Sequence, residues 1–156
     1  VGSEMCIRDR TISLTYKKMP FLRIAPICNG KIYVAPRSYQ GEEPGKLDIP
    51  MEDYIYACKT DTDKYAKEVE NKYSNHITGQ PEPRFSLKHL VKETNGVKKT
   101  IMLYILPLND EEQIHFTGGK FVTPEEIEMN SAQYSSFLKE EIDHLNIVTQ
   151  MWEEFK

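Results

Sequence analysis

The stretch IMLYIL at positions 101–106 constrains the fold of this chain more than any other segment. Its side chains are apolar at both odd and even positions, whereas a strand with one wet face alternates apolar and polar residues. The pattern therefore predicts a central β-strand that is covered on both faces. Such a sheet needs helices on both sides, and these must come from other parts of the chain.

Two Asn-Gly pairs predict β-hairpins. Asn29-Gly30 lies between FLRIAPIC and KIYVAP, and Asn95-Gly96 lies between FSLKHLVKE and KKTIMLYILPL. An Asn-Gly pair between two strands is a strong hairpin signal, because both turn residues must accept a positive φ. The segments KLDIP, DYIYAC, QIHF and GGKFV are further candidates for short strands.

A helix is predicted over residues 62–77, TDKYAKEVENKYSNHI. Its apolar residues recur at helical spacing, and the hydroxyl and carboxylate oxygens of residues 60–62 can cap its first turn. This helix lies in the middle of a strand-rich chain. It can therefore cover one face of the sheet.

The C-terminal part of the chain predicts two more helices. Thr123 followed by Pro124 is typical of a helix start, with a capping hydroxyl and a proline at the first helical position. A longer amphipathic helix is expected from about Ser131, with an apolar stripe that reaches Trp152 and Phe155. The predicted fold class is therefore α/β, a mixed sheet with helices on both sides.

The first ten residues, VGSEMCIRDR, match one reading frame of a transposon adapter used in sequencing libraries. We expect residues 1–10 to be a non-native segment of a metagenomic fragment, and we set them aside in predicting the fold. Residues 11–156 are expected to form a single domain, since a chain of this length can bury a proper core.

Composition narrows the function classes. The formal net charge is −4, which disfavours nucleic-acid binding through a broad basic face. No apolar run approaches the roughly 20 residues of a membrane span. Outside the first ten residues only Cys28 and Cys58 remain, too few for a disulfide framework. We therefore expect a cytoplasmic protein without a nucleic-acid or membrane partner.

The order of these segments resembles the Nudix hydrolases over nearly all of residues 11–156. FLRIAPICNGKIYVAPRS is similar to that family's opening hairpin, which often ends in a basic residue, here Arg37. KLDIP resembles the segment before the family's signature, and GGKFVTPEEIEM resembles its closing strand and short helix. The resemblance implies a Nudix-like α/β/α sandwich with two β-hairpins, a central helix and a long C-terminal helix. It also implies cleavage of nucleoside-linked diphosphates, usually with magnesium.

The family's signature reads G-x5-E-x7-R-E-U-x-E-E-x-G-U, with U aliphatic, and its glutamates share one helical face that holds the cation. The best match here is Lys67-Glu68-Val69 for R-E-U. The glutamate pair then falls on Asn71 and Lys72. This alignment makes Glu68 the candidate catalytic and metal-binding residue and Asn71 a second metal ligand. A protonated lysine cannot ligate a cation.

Three functions remain open. The favoured one is a catalytically degenerate Nudix-like domain that binds a nucleotide-type phosphate ligand, or a protein partner, without a cofactor. Arg23 and Arg37, both from the opening hairpin, are the candidate anion contacts, because a guanidinium matches the geometry of phosphate. A different α/β fold with an unrelated role is another possibility. It stays open because fold-level analogy does not establish function.

The alternative to the favoured function is an active Nudix-type pyrophosphohydrolase with non-standard magnesium ligands. Glu68 would then act with an aspartate, and the candidates are Asp53, Asp61 and Asp63. Asp53 stands where the alignment puts the opening glycine of the signature. Either function places the site beside helix 62–77.

The histidines suggest no further site. Glu141-x-x-His144 has the spacing of di-iron bundles, but no second copy exists in the sequence, so the pair is predicted to lie on a surface face. His89 and His115 fall in predicted strands without an acidic or cysteine partner at ligand spacing. His76 ends the central helix, where an imidazole commonly meets the last carbonyls.

Overall fold

A computed structural model of the chain describes residues 21–54, 62–92, 96 and 98–156. Several predictions concern residues outside these ranges: the adapter-like residues 1–10, residues 55–58 of the strand candidate DYIYAC, the helix cap at residues 60–61 and the turn residue Asn95. The candidate ligand Asp61 also lies outside them.

The described residues form one mixed sheet with spatial order β3-β2-β1-β6-β5, in which β4 also pairs with β1 and β7 with β2. The seven strands are β1 (Phe21–Cys28), β2 (Lys31–Pro36), β3 (Leu47–Asp48), β4 (Met51–Tyr54), β5 (Arg84–Lys92), β6 (Lys98–Pro107) and β7 (Lys120–Val122). The hairpin at Asn29-Gly30 is confirmed, since β1 and β2 pair as antiparallel strands on either side of it. Both turn residues have positive φ, as the sequence predicted.

Strand β6 is the central strand that IMLYIL predicted. It pairs in parallel with β1 and antiparallel with β5, so both of its edges are hydrogen-bonded. Ile101 and the run from Leu103 to Leu106 are buried, whichever face the side chain points to. A continuous apolar strand is stable in this position because helices cover both faces.

In the described ranges three helices form the outer layers: α1 (Thr62–Lys72), α2 (Pro124–Met129) and α3 (Ser136–Glu154). Helix α1 packs Val69 against one face of the sheet, in a core that includes Leu22 and Tyr104. Helices α2 and α3 cover the other face, where Leu138 packs with Ile105. The result is the predicted α/β/α arrangement. No helix in the described part of the chain is long and apolar enough to span a membrane.

Local capping explains where the C-terminal helices begin. The Thr123 hydroxyl accepts the Glu126 amide and Pro124 is the first residue of α2, as predicted. Helix α3 begins at Ser136 and not near Ser131, because residues 131–133 form a separate 3₁₀ turn. Ser135 then caps α3 by accepting the Leu138 amide.

Other expectations about local structure are also wrong. The helix predicted over residues 62–77 ends at Lys72, and residues 74–76 form a separate 3₁₀ turn. The segment QIHF is not a strand: residues 111–113 form a 3₁₀ turn closed by a capping box between Asp110 and Gln113. Ile114 makes only an isolated bridge to Ile77. The apolar stripe of α3 reaches Trp152, which packs partly buried against the core, but not Phe155, which lies beyond the helix end and is 81% exposed.

Candidate functional site

A cleft of about 550 Å³ lies beside strand β4. Its walls come from the start of β1, the end of β2, strand β4, the 3₁₀ turn after α1 and the segment around Phe116. The lining residues used below are Phe21, Arg37, Glu52, Asp53, Tyr54, Tyr73, His76 and Phe116. The cleft therefore combines several aromatic rings with a small number of charged groups.

Arg37 and Glu52 form the charged floor of this cleft. Arg37 donates from Nη1 to Glu52 Oε1 at 3.1 Å and to Asp48 Oδ2 at 2.5 Å, and from Nε to the Glu42 carbonyl at 2.8 Å. Its Nη2 group donates to no other residue in the described ranges. Arg37 is thus the predicted anion contact that the structure brings to a cleft.

Arg23 has different surroundings. Strand β1 directs it toward α3, between Leu22 and Ile24, which face α1. Its side chain is 0% exposed and donates to three carboxylates. The Nη2 group lies 2.6 Å from Asp48 Oδ1 and 2.9 Å from Glu141 Oε1, and Nη1 lies 2.7 Å from Glu52 Oε2. The anion partners of Arg23 are therefore the chain's own carboxylates, and it is linked to the cleft lining through Glu52 and through Asp48, which also accepts from Arg37.

The buried charges tune one another. Burial lowers the pKa of the Arg23 guanidinium, but the charges of Asp48 and Glu141 outweigh this and raise it well above its usual value. Burial raises the pKa of Asp48, but the charges and hydrogen bonds of Arg23 and Arg37 outweigh this, and the pKa falls below its usual value. Burial dominates at Glu52, where Arg23 offsets it only in part, so the pKa of Glu52 is raised.

Glu141 was predicted to lie on a surface face, and this is wrong. It is 0% exposed and accepts from both Nε and Nη2 of Arg23. It also lies 3.0 Å from Nε2 of His89, which therefore has an acidic partner that its sequence position did not indicate. The other half of the motif, His144, contacts the Ser86 hydroxyl at 2.6 Å, at the irregularity in β5 between Phe85 and Leu87.

Helix α1 carries the residues aligned with the metal-binding signature, and all three are exposed: Glu68, Asn71 and Lys72. Glu68 and Asn71 are not among the residues that line the 550 Å³ cleft, and Asn71 faces a separate depression beside Thr78. Only Lys72 reaches the cleft's edge, where its ammonium pairs with the Asp53 carboxylate.

These residues do not fit a magnesium site of the kind that the resemblance implies. Magnesium usually takes one or two carboxylates together with waters and substrate phosphates. Here the helix offers one carboxylate, Glu68, and one amide, Asn71, next to the Lys72 ammonium. Asp63 accepts a hydrogen bond from Tyr104, and Asp53 is paired with Lys72. The described residues contain no group of three or more His, Cys, Asp or Glu that could hold a metal ion.

Aromatic rings form another part of the cleft lining. The rings of His76 and Phe116 are stacked, with centroids 4.0 Å apart and planes 7° from parallel. Tyr73 lies 5.8 Å from the same phenylalanine. The Phe116 amide donates to the Tyr33 hydroxyl at 2.8 Å, and a Cβ on Gly119 would lie 2.1 Å from that oxygen. Glycine at that position therefore allows the contact that fixes the aromatic wall.

Sequence reasoning did not predict Glu52, His76 or Phe116 as cleft residues. These residues are far apart in the sequence, and only the fold brings their segments together. One signal was present: Glu52 precedes Asp53, which the alignment had already placed at the start of the signature. The histidine and the phenylalanine carried no comparable signal.

Comparison with known proteins identifies the fold. No family model matches this sequence, and no curated protein sequence matches it. Among solved structures, a Nudix hydrolase from Nitrosomonas europaea is 11% identical, with a TM-score of 0.59, covering 85% of this chain and 90% of that one. The Nudix hydrolase RenU from M. smegmatis is 11% identical, with a TM-score of 0.56 and 86% coverage of both chains.

A third similar structure comes from a protein–protein complex. It is the C-terminal domain of mouse MUTYH, in complex with human PCNA, which is 16% identical with a TM-score of 0.52. It covers 88% of this chain and 89% of that one. At such low identities the likeness shows the fold and no more. The chain has a Nudix-like fold, and its chemistry must be argued from its own residues.

Proposed function

We propose that this chain is a Nudix-fold binding domain that does not hydrolyse its ligand with magnesium, and that the cleft beside β4 takes a nucleotide-type ligand. The observation that carries this proposal is the ion pair between Lys72 and Asp53. In the alignment with the family's signature, Lys72 falls where the family has a metal-binding glutamate, and Asp53 falls where it has a glycine. The chain's own ammonium thus stands where a metal ligand would be.

The chemistry of that pair opposes a divalent cation. A protonated lysine has three donors and no lone pair, so it repels magnesium and occupies the carboxylate that could have attracted it. Among the α1 residues aligned with the signature, Glu68 is the one carboxylate, and it makes a poor site because magnesium is reluctant to give up its waters for a single carboxylate. Ligand binding in the cleft is therefore expected to be independent of magnesium.

Arg37 is the proposed contact to a phosphate of the ligand. Its Nη1 and Nε donors are satisfied by the chain, and its Nη2 remains to donate to an anion from the cleft floor. Arginine is the side chain best suited to this because its guanidinium is planar and always charged. Arg23 takes no part in this contact, since it supports the floor from below through Glu52.

A protein partner is the second candidate. Helix α3 exposes Ile147 and Met151 by 57% and 50%, one turn apart on its outer face. The similar MUTYH domain was solved in complex with PCNA, so this fold is compatible with a role in protein binding. Exposed apolar side chains at helical spacing are a common basis for such contacts. If a protein partner binds to α3, blocking the cleft should leave the binding of that partner unchanged.

Turnover measurements separate binding from hydrolysis. The wild type and Glu68→Gln should be tested on nucleoside diphosphate derivatives with magnesium and with manganese, with Glu140→Gln as an exposed control on α3. We expect no turnover by the wild type above that of a no-protein blank. Turnover that disappears in Glu68→Gln but persists in Glu140→Gln would replace the proposal with an active pyrophosphohydrolase.

A gain-of-function variant tests the alignment itself. Asn71→Glu with Lys72→Glu places three carboxylates at i, i+3 and i+4 on one face of α1. We expect this double variant to bind magnesium measurably more tightly than the wild type by isothermal titration calorimetry. Asn71→Gln with Lys72→Gln is the matched control, since it removes the ammonium without adding carboxylates. Equal magnesium affinity in both variants would show that the face is not the metal position.

A further inference from the structure

The cleft is more aromatic than it is charged. His76 and Phe116 present a stacked pair on one side. Phe21 and Tyr54 contact each other edge to face with centroids 4.9 Å apart and also line the cleft, and the Lys99 ammonium lies over both rings. Aromatic faces bind planar heterocycles by stacking, and they tolerate different bases because every base has a π-face. The volume of about 550 Å³ falls within the range of small-molecule sites.

The residues that line the cleft carry no excess of positive charge. Among the described lining residues, Arg37 is the one arginine or lysine, while Glu52 and Asp53 are both carboxylates. Lys72 neutralises Asp53 at the edge. A diphosphate in this cleft would gain one arginine contact and would face the Glu52 carboxylate. Polyphosphate sites commonly gather several cationic or backbone N–H donors, and this arrangement does not.

Glu52 keeps the capacity to accept further hydrogen bonds. Each of its oxygens accepts from one arginine, Oε1 from Arg37 and Oε2 from Arg23. An ionised carboxylate has about four lone-pair sites, so about two remain. The side chain is 20% exposed, and it lines the cleft. The two arginines also hold it in one orientation, which favours recognition of a planar donor pair.

From these observations we infer that the cleft recognises the heterocycle of its ligand and not the phosphate. The ligand is a neutral, planar nitrogen heterocycle that stacks on the His76 and Phe116 side and donates amino or ring N–H groups to Glu52. This inference rests on the proposed binding function and narrows it. Any phosphate makes a single contact with Arg37 and contributes little affinity.

Calorimetric titration of nucleosides and their 5′-diphosphates tests the inference directly. Guanosine, adenosine and cytidine carry an exocyclic amino group. Uridine has only its ring N3–H, which lies between two carbonyl oxygens that the Glu52 carboxylate would repel, so it serves as the poor donor. At about 150 mM salt without divalent ions, where exposed charges are largely screened, we expect an amino-bearing nucleoside to bind within about threefold of its own diphosphate. We also expect uridine to bind about tenfold more weakly, which is the scale of one lost hydrogen-bonded contact to a charged group.

Two variants of an exposed ring test the stacking wall. His76→Leu removes the outer ring of the pair, and His76→Phe keeps an aromatic face. We expect the leucine variant to bind the best nucleoside about tenfold more weakly and the phenylalanine variant to stay within about threefold of wild type. Phe155→Leu is the control, because that ring is 81% exposed and does not line the cleft. Circular dichroism and the Tm of each variant show whether the fold is retained.

The outcomes separate this inference from the proposed function. If the diphosphates bind more than about tenfold more tightly than the nucleosides, the phosphate dominates and the inference fails, while the binding function stands. If the nucleosides bind and the diphosphates are also hydrolysed, the inference stands and the non-catalytic proposal fails. If neither class binds, both fail. Equal losses in His76→Leu and His76→Phe would show that stacking is not the contact.

Discussion

Two ionic sites lie next to the same cleft and differ in burial. One is the cluster of Arg23, Asp48 and Glu141, whose side chains are at most 1% exposed, with Glu52 at its edge. The other is the pair of Lys72 and Asp53, whose side chains are 57% and 34% exposed. The sequence analysis considered Arg23, Lys72 and Asp53 for function and assigned Glu141 to a surface face, but it gave Asp48 no role. Their surroundings decide what each can do.

The comparison teaches that position relative to the core decides whether a charged residue supports the fold or is available to a ligand. A buried charge has lost its hydration, so each removed partner leaves an uncompensated charge in a medium of low dielectric constant. An exposed pair keeps water as an alternative partner and contributes little. The first site should therefore control stability, while the second should influence only the local field at the cleft.

Removing Arg23 should produce the largest effect. Arg23→Met keeps much of the side-chain volume but leaves three carboxylates without their shared cation. We expect the free energy of unfolding to fall by about 3–5 kcal/mol, the cost of breaking a buried ion pair from one side, as measured by urea denaturation. Lys139→Met, at an exposed position of α3, is the control. A midpoint for Arg23→Met equal to that of the control would contradict the burial argument.

The acid limb of stability should show the cluster's two opposite pKa shifts. The pKa of Glu52 is raised in the fold, so as pH falls toward its unfolded value of about 4.3, protonation should favour the native state. The pKa of Asp48 is lowered, so its contribution is present above about pH 4 and is lost below that. The urea midpoint should thus stay level or rise slightly on mild acidification and then drop.

Two variants show which carboxyl group causes each part of the dependence of the urea midpoint on pH. Glu52→Gln should remove the rise on mild acidification and keep the drop, because the raised carboxyl has gone and Asp48 remains. Asp48→Asn should lower stability at neutral pH and flatten the acid drop. An unchanged drop in Asp48→Asn would mean that other carboxyls cause the acid sensitivity.

A smaller effect is expected at Phe137, the ring that covers the buried cluster. The guanidinium carbons of Arg23 and Arg37 lie 5.3 and 5.7 Å from its centroid. Phe137→Leu keeps an apolar side chain but removes the aromatic face, and we expect a loss of about 1–2 kcal/mol. Phe155→Leu, at an exposed ring, should be nearly neutral in the same urea experiment. Equal losses in the two variants would count against a cation–π contribution.

The smallest effect is expected at the exposed pair. Lys72→Met should change the free energy of unfolding by no more than about 0.5 kcal/mol, because surface ion pairs contribute little and are screened by salt. The same variant leaves the Asp53 carboxylate unneutralised, so a diphosphate should bind less tightly than to wild type. A loss approaching that of Arg23→Met would erase the distinction between the two sites.

Much of the fold could be predicted because its signals are local. Asn29-Gly30 specifies a hairpin through the φ of two adjacent residues, and Thr123-Pro124 specifies a helix start through one hydroxyl and one ring. The segment IMLYIL shows its central position through its own composition. One wrong prediction also has a local cause. QIHF has the residue pattern of a strand, but the capping box between Asp110 and Gln113 closes a turn that includes its first residue.

The candidate site followed from the sequence only where a resemblance supplied an alignment. That alignment put Lys72 at a metal-binding glutamate and Asp53 at the opening glycine, and only the structure shows that the two form an ion pair. It gave no indication that Glu68 and Asn71 would lie outside the cleft. The side of a helix that faces a cleft depends on how the helix packs, and many rotations share the same spacing of apolar residues.

By itself the sequence determined the order of strands and helices, the hairpin turns and the absence of a paired-glutamate signature on residues 62–77. Tertiary structure decided the fate of each charge. Arg23 and Glu141 are separated by 118 positions in the chain, and no local pattern records that they meet in the core. Electrostatic interactions depend on distance and dielectric surroundings in space. Those two quantities exist only once the chain has folded.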